Sequence, residues 1–306
     1  MARFVRVASV SFGGRGRARS IGETVNRNVK DTAKLLKRAA MEEPDIVCLT
    51  ECWPTLGLSA RDSTKAAEEI PGPIFRTVSS IAKEHGTYVI CPMIEKKDGR
   101  FHNSAVLLDR NGEYVGSYYK IHPTIDEIES GITPGTKSGV FKVDFGILGL
   151  AICFDLNFEE VIKGLVKEGA KLVFFPSAYE GGLQLRIWAF NYGVYMVSAR
   201  GGENSMIVDP LGRILAKSSS YNPIICKTVN LDYEILHLNY NHMKLDSVKK
   251  KYGSRVELDV LRPEAVFMLA SNTRDATAED MIDEFKLETR KEYFRRASRI
   301  REDALT

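Results

Sequence analysis

The chain has 306 residues, 44% of them hydrophobic and 27% charged, with a formal net charge of +3. That length suits one large α/β domain or two modest ones, and so small a charge offers no cationic excess for nucleic acid or a membrane surface. No apolar run is long enough to span a bilayer, and the chain opens on a strand-like run, Phe4 to Val10, so neither a membrane span nor a signal peptide is expected.

Helical and strand patterns alternate along the chain. Val25, Val29, Ala33, Leu36 and Ala40 recur at helical spacing, and Pro44 closes that segment. The buried run Asp45 to Thr50 follows and ends at Glu51. Ser79 to His85 reads as a helix stopped by Gly86, and Thr87 to Cys91 as a strand. His102 to Leu108 and Glu113 to Tyr119 form two strands joined by the turn Asp109-Arg110-Asn111-Gly112, with Lys120 at the end of the second. Ile147 to Ile152 is a buried strand, Glu159 to Lys167 a helix, Lys171 to Phe175 a strand, Leu183 to Tyr192 a helix and Val194 to Ala199 a strand. A second hairpin, Ser205 to Val208 and Arg213 to Ala216, turns at Asp209-Pro210-Leu211-Gly212. The pattern predicts layered α/β architecture with antiparallel additions at its edges. Lys249-Lys250-Lys251 reads as a solvated turn, and beyond about Ser271 the chain becomes highly charged and helix-prone.

Five cysteines (48, 52, 91, 153, 226), an odd number spread along the chain, point to a reducing cytoplasm rather than a disulfide framework. Cys48 and Cys52 lie four apart with no second pair or histidine cluster to complete a zinc site. Cys153 stands apart from the others. It sits in Leu150-Ala151-Ile152-Cys153-Phe154-Asp155-Leu156, at a strand-to-helix junction, where the helix dipole and unpaired N–H groups are expected to favour the thiolate. Glu51 and Lys120 hold the same kind of strand-end position. A carboxylate, an ammonium and a thiol so placed are the parts of a nucleophilic site.

Taken in order, these segments resemble the nitrilase, or carbon–nitrogen hydrolase, superfamily, whose hallmark is a Glu-Lys-Cys triad. The matching stretches are Thr50-Glu51 after Asp45-Ile46-Val47, Asn103-Ser104-Ala105, Tyr119-Lys120-Ile121-His122-Pro123, Pro134-Gly135, Ile152-Cys153-Phe154-Asp155-Leu156 and Asp209-Pro210-Leu211-Gly212. The resemblance spans residues 1–270 and leaves 271–306 as a charged helical extension, expected to pack at a subunit interface. It implies a four-layer αββα sandwich, two mixed β-sheets flanked by helices, and assembly into a homodimer or higher homo-oligomer. Two departures stand out: Asn157 where the family often has Arg, and Trp188-Ala189-Phe190-Asn191-Tyr192 where it often has Arg-Ala-x-Glu-Asn.

The resemblance further implies that Cys153 attacks the carbonyl carbon, Glu51 moves the proton, and Lys120 with the Phe154 N–H meets the oxyanion. A second glutamate belongs between the lysine motif and Pro134; spacing from Lys120 favours Glu127, with Glu129 as the alternative. Asp155 is either a substrate contact or a capping partner, and its place in the first helical turn favours capping. Phe154, Asn157, Tyr179 and Trp188 are candidate substrate contacts. The implied reaction is hydrolysis of a small linear amide or N-carbamoyl compound, with no metal or organic cofactor. Cys153-Phe154-Asp155 differs from the Cys-Trp-Glu usual in true nitrilases, which leaves nitrile hydrolysis as a rival. A catalytically silent scaffold on the same fold is a second rival.

Overall fold

The computed structural model describes residues 2–306. The larger of two compact units spans Arg6 to Thr228. Its strands are β1 (Phe4–Val10, entering from the other unit), β2 (Ile46–Cys48), β3 (Tyr88–Lys97), β4 (Arg100–Leu108), β5 (Tyr114–Tyr119), β6 (Val140–Val143), β7 (Gly146–Leu150), β8 (Leu172–Ser177), β9 (Tyr195–Arg200), β10 (Met206–Val208), β11 (Ile214–Lys217) and β12 (Ile224–Asn230). Its helices are α1 (Ile21–Ala40), α2 (Ala60–Lys65), α3 (Pro73–His85), α4 (Ile125–Glu129), α5 (Glu159–Lys167) and α6 (Gly182–Tyr192). Among the described residues no helix is long and apolar enough to cross a membrane.

The strands form two six-stranded mixed sheets, ordered β12-β1-β2-β3-β4-β5 and β11-β10-β9-β8-β7-β6. In each, a parallel centre (β1, β2, β3; β7, β8, β9) carries antiparallel neighbours. Period-two alternation presents one side of each strand to helices. Val89, Cys91 and Met93 of β3 pack with Leu36 and Ala39 of α1 and Phe75, Val78 and Ile81 of α3. Val173 and Phe175 of β8 pack with Ile162 and Leu165 of α5 and Leu185 and Trp188 of α6. Hydroxyls tie the first sheet to the second. Ser9 Oγ donates to the Ser198 carbonyl at 2.7 Å, and Ser11 Oγ lies 2.6 Å from Ser205 Oγ and 2.8 Å from Ser218 Oγ. The molecule therefore has two mixed sheets flanked by helices, the αββα arrangement expected from the sequence.

Local signals placed the elements well. Gly86 ends α3 in the left-handed conformation that glycine adopts without penalty (φ 62°). At the first hairpin, Asp109 Oδ1 accepts from the N–H groups of Asn111 and Glu113, both at 2.8 Å, the turn its sequence announces.

The smaller unit comprises residues 2–5 and Val229–Thr306. It holds an antiparallel sheet of β13 (Tyr233–His237), β15 (Val266–Ser271) and β14 (Val256–Leu261), in that order, with helices α7 (Leu245–Tyr252), α8 (Ala278–Phe285) and α9 (Arg290–Asp303). Leu236, Val248, Phe267, Leu269, Met281 and Ile282 form its core. The change in composition near Ser271 is thus not where the contacts divide the chain: the segment after it packs on strands that precede it. Lys249, Lys250 and Lys251 lie within α7 rather than in a turn, because Val248 and Tyr252 bury one face of that helix.

Candidate active site

All residues of the site belong to the larger unit. Glu51 lies just beyond β2, and the residue before it is fastened on three sides. Thr50 Oγ1 accepts from the Phe12 N–H at 3.0 Å and lies 3.1 Å from the carbonyls of both Val10 and Arg200. Lys120 follows β5 directly, its N–H bonded to the Asn103 carbonyl at 2.9 Å. Cys153 stands three residues past β7 and opens a five-residue 3-10 turn. Its φ of 48° is left-handed, a conformation costing a non-glycine residue of order 1–2 kcal/mol that surrounding packing must impose.

These three side chains meet. Lys120 Nζ donates to Glu51 Oε1 at 3.0 Å and to Glu127 Oε2 at 2.8 Å. The Lys120 side chain is 1% exposed and that of Glu51 4%. Removing such charges from water costs several kcal/mol each, which only close pairing and full hydrogen bonding repay. The remaining lone pairs are accordingly occupied. Glu51 Oε2 accepts from the Ala178 N–H at 2.6 Å, and Glu127 Oε2 accepts from the Thr124 N–H at 2.7 Å. Asn103 Nδ2 then donates to both carboxylates, 2.8 Å to Glu51 Oε1 and 2.6 Å to Glu127 Oε1. Burial disfavours the charged form of Lys120, yet the Glu51 and Glu127 carboxylates hold its pKa well above the ordinary lysine value. Burial likewise disfavours the Glu127 carboxylate, but Lys120 outweighs it and keeps that pKa below the usual range.

The thiol behaves differently from the sequence-based expectation. Burial first, then the Glu51 charge, push the Cys153 pKa up to about 12; Lys120 and the Ala178 N–H oppose that rise without cancelling it. The turn is only five residues long, so burial and the Glu51 charge outweigh what dipole it supplies and favour the protonated thiol.

Glu127 rather than Glu129 joins the cluster. Thr124 caps α4, and Glu127 is the reciprocal member of its capping box, which folds the carboxylate back toward Lys120. Glu129, two residues on, is exposed and points elsewhere. The pattern Thr124-x-x-Glu127 is legible in the sequence as that box. Asp155 has two donors on one oxygen, Tyr118 Oη at 2.7 Å and the Ile152 N–H at 2.8 Å, and the His122 N–H on the other at 2.8 Å. It is a capping residue that also joins the lysine and cysteine segments.

A cavity of about 250 Å³ opens onto Glu51, Lys120, Glu127 and Cys153. Its walls include Cys52, Leu56, Leu58, Ile94 and Ile132. None of the four expected substrate contacts is among the residues that line it. Trp188 is buried in the core against α5 and β8, as its position on the inward side of α6 requires. Asn157 is exposed and donates to the Phe154 carbonyl at 3.1 Å. The Phe154 ring packs edge-on against Phe158, with centroids 5.4 Å apart. Tyr179 comes nearest: burial and the proximity of Cys153 raise its pKa to about 12. Apart from Ile94 in β3, these wall residues come from loops whose apolar side chains carry no periodic signal, so nothing in the sequence marks them.

The chain resembles known proteins in sequence and in fold. Residues 7–234 match the carbon-nitrogen hydrolase family. Omega-amidase NIT2 of Xenopus tropicalis is 27% identical over 234 residues, covering 68% of this chain and 84% of that protein; the human Omega-amidase NIT2 is 26% identical over 230 residues, covering 67% and 83%. Among solved structures, Saccharomyces cerevisiae Nit3, a member of branch 10 of the nitrilase superfamily, superimposes with a TM-score of 0.66 at 20% identity, over 82% of this chain and 95% of that one. An amidase from Nesterenkonia sp. gives a TM-score of 0.62 at 19% identity, over 74% and 90%. With its two mixed sheets and a family match covering most of its length, this chain belongs to the carbon-nitrogen hydrolase family.

Proposed function

We propose that this enzyme is a thiol hydrolase that cleaves a non-peptide C–N bond of a small linear amide or N-carbamoyl compound through a thioester on Cys153. One observation carries the reading: a buried ammonium, held between the carboxylates of Glu51 and Glu127, shares a single cavity with the Cys153 thiol. The amidase names carried by its relatives support the same class of bond.

In this scheme Glu51 takes the proton as Cys153 Sγ bonds to the carbonyl carbon. Lys120 donates to the resulting oxyanion, and so does the Phe154 N–H, which stands ahead of the first bond of its turn, Asp155 N–H to Ile152 O at 3.0 Å. Collapse breaks the C–N bond, and the leaving nitrogen receives the proton from Glu51. Water then attacks the thioester, giving a proton to Glu51, and acid departs as the thiol is restored. Glu127 and Asn103 orient Lys120 and Glu51. No step calls on a metal or an organic cofactor.

We place this chemistry in the cytoplasm, where its free thiols stay reduced, and in a homo-oligomer formed through the C-terminal segment. Phe294 and Ile300 of α9 are each 52% exposed and would supply the apolar part of such a contact.

Acid-quenched mass spectrometry during turnover of mixed amides, ureas and nitriles tests the central reading. Acylation of Cys153 with release of ammonia or amine is expected. Undiminished hydrolysis by Cys153→Ala would overturn the assignment.

A further inference from the structure

We propose that Cys52 is a positioning residue of this site: its S–H holds the Asn103 amide in the orientation that turns both N–H bonds to the carboxylates of Glu51 and Glu127. The inference rests on the hydrolase reading above. Cys52 Sγ donates to Asn103 Oδ1 at 3.5 Å. On the other side of the same amide, Nδ2 donates to Glu51 Oε1 at 2.8 Å and to Glu127 Oε1 at 2.6 Å. Among the described residues no other donor reaches Oδ1. The backbone aims the thiol. Cys52 is left-handed (φ 47°, ψ 31°), and its carbonyl accepts from the Thr55 N–H at 2.9 Å and from the Thr55 hydroxyl at 3.2 Å. The next N–H, that of Trp53, donates back to the Thr50 carbonyl at 3.3 Å. Cys52 is thereby clamped in place on the wall of the cavity that Glu51, Lys120, Glu127 and Cys153 share.

A thiol fills this role only while protonated, since a thiolate would accept and turn the amide round. Burial first, then the charges of Glu51 and Glu127, hold the Cys52 pKa well above the ordinary thiol value, so the donor persists. The consequence lies in proton transfer. Glu51 is a carboxylate before Cys153 attacks and a carboxylic acid afterwards. Nδ2 is the better partner for the carboxylate, whereas Oδ1 is the better partner for the acid, because it accepts the new O–H. An amide free to rotate would follow the proton and retain it on Glu51 just when the leaving nitrogen needs it. With Oδ1 tied to Cys52, that rotation forfeits the sulfur bond, and Glu51 passes the proton on.

Two measurements test the proposal. The infrared spectrum of the wild type minus that of Cys52→Ala isolates the S–H stretch of Cys52. That band should lie below the frequency of propanethiol in hexane, as a hydrogen-bonded thiol requires, and should rise to it in Asn103→Leu. Ammonia release from butyramide supplies the kinetics. Cys52→Ala should lower kcat about 10-fold and leave KM within about twofold, because an acceptor left without its donor acts here on proton transfer and not on binding. Cys52→Ser, which restores a donor, should recover most of that loss. A wild-type band at the propanethiol position, an unchanged kcat in Cys52→Ala, a change confined to KM, or a serine variant no faster than alanine would each overturn the proposal and leave the hydrolase reading standing. Failure of butyramide and every other amide to acylate Cys153 would overturn the hydrolase reading instead, and with it the kinetic role of Cys52, while the infrared band still decides whether the sulfur bond exists.

Discussion

The Asp155 carboxylate accepts a 2.8 Å hydrogen bond from the backbone N–H of His122. The residue two positions after the thiol thus holds the residue two positions after the ammonium. The second oxygen of the same buried carboxylate serves Tyr118 on β5 and Ile152 beside Cys153. One side chain therefore sets the separation of two loops that come from different sheets.

Asp155→Asn should test that setting. The amide replaces one acceptor oxygen with a donor, so at least one N–H or O–H loses its partner. We expect a stability loss of ~2–3 kcal/mol by urea denaturation, with kcat falling more than KM changes. Tyr118→Phe removes a single donor and should cost ~1 kcal/mol, with a smaller fall in kcat.

Glu127→Gln and Glu129→Gln separate the two sequence candidates. The first removes a carboxylate 2.8 Å from Lys120 Nζ and should lower kcat at least ~100-fold. The second alters an exposed charge and should leave kcat within about twofold and stability within ~0.5 kcal/mol. Steady-state kinetics on the two purified variants decides the matter.

Lys120→Met should abolish turnover and destabilise the fold by ~3–5 kcal/mol, because two buried carboxylates are left facing each other. The pH dependence has a definite sign. In the wild type Glu127 is held below its ordinary pKa, so its contribution is present above the unfolded carboxylate value and lost as pH falls through the folded one. Without the ammonium, burial and repulsion raise that pKa, and the variant loses stability as pH rises. The stability gap between wild type and variant should therefore be wider at pH 8 than at pH 5.

The raised thiol pKa predicts a quiet ultraviolet titration. Subtracting the spectrum of Cys153→Ser from that of the wild type should reveal no thiolate absorbance from this residue between pH 7 and pH 10, since its pKa lies near 12. Below the ordinary thiol value the protonated sulfur contributes its full stability, which is lost only as pH climbs through the folded value. A step near pH 7 would show that the resting enzyme carries a thiolate and needs no proton transfer to Glu51.

Comparing Cys153→Gly with Cys153→Ala isolates the strain at the nucleophile. Both variants lose the sulfur and should be inactive. Only glycine adopts a φ of 48° without penalty, so the glycine variant should be more stable than the alanine variant by ~1 kcal/mol. Thermal or urea denaturation of the inactive pair measures it.

Much of this protein was readable without coordinates. Turn chemistry and periodicity located β1 to β5, β7 to β11, α1, α3, α5, α6 and both hairpins, since those signals act between residues a few positions apart. The chain order of Glu51, Lys120 and Cys153 within their local motifs was equally plain, and the two mixed sheets followed from the family those motifs resemble.

Tertiary structure decided what depends on neighbours distant in sequence. Asn103 bridges Glu51 and Glu127 across separations of 52 and 24 residues, and no local pattern encodes that double bond. Trp188 is a core residue because α6 turns it toward β8, whereas the cavity wall falls to Leu56, Leu58, Ile94 and Ile132, scattered over loops and strand β3. The acidity of Cys153 was misjudged from its helix-start position, since burial and the Glu51 charge outweigh a five-residue turn. Short-range sequence fixes conformation; charge state and cavity shape are summed over everything that packs around a group, and only the folded chain performs that sum.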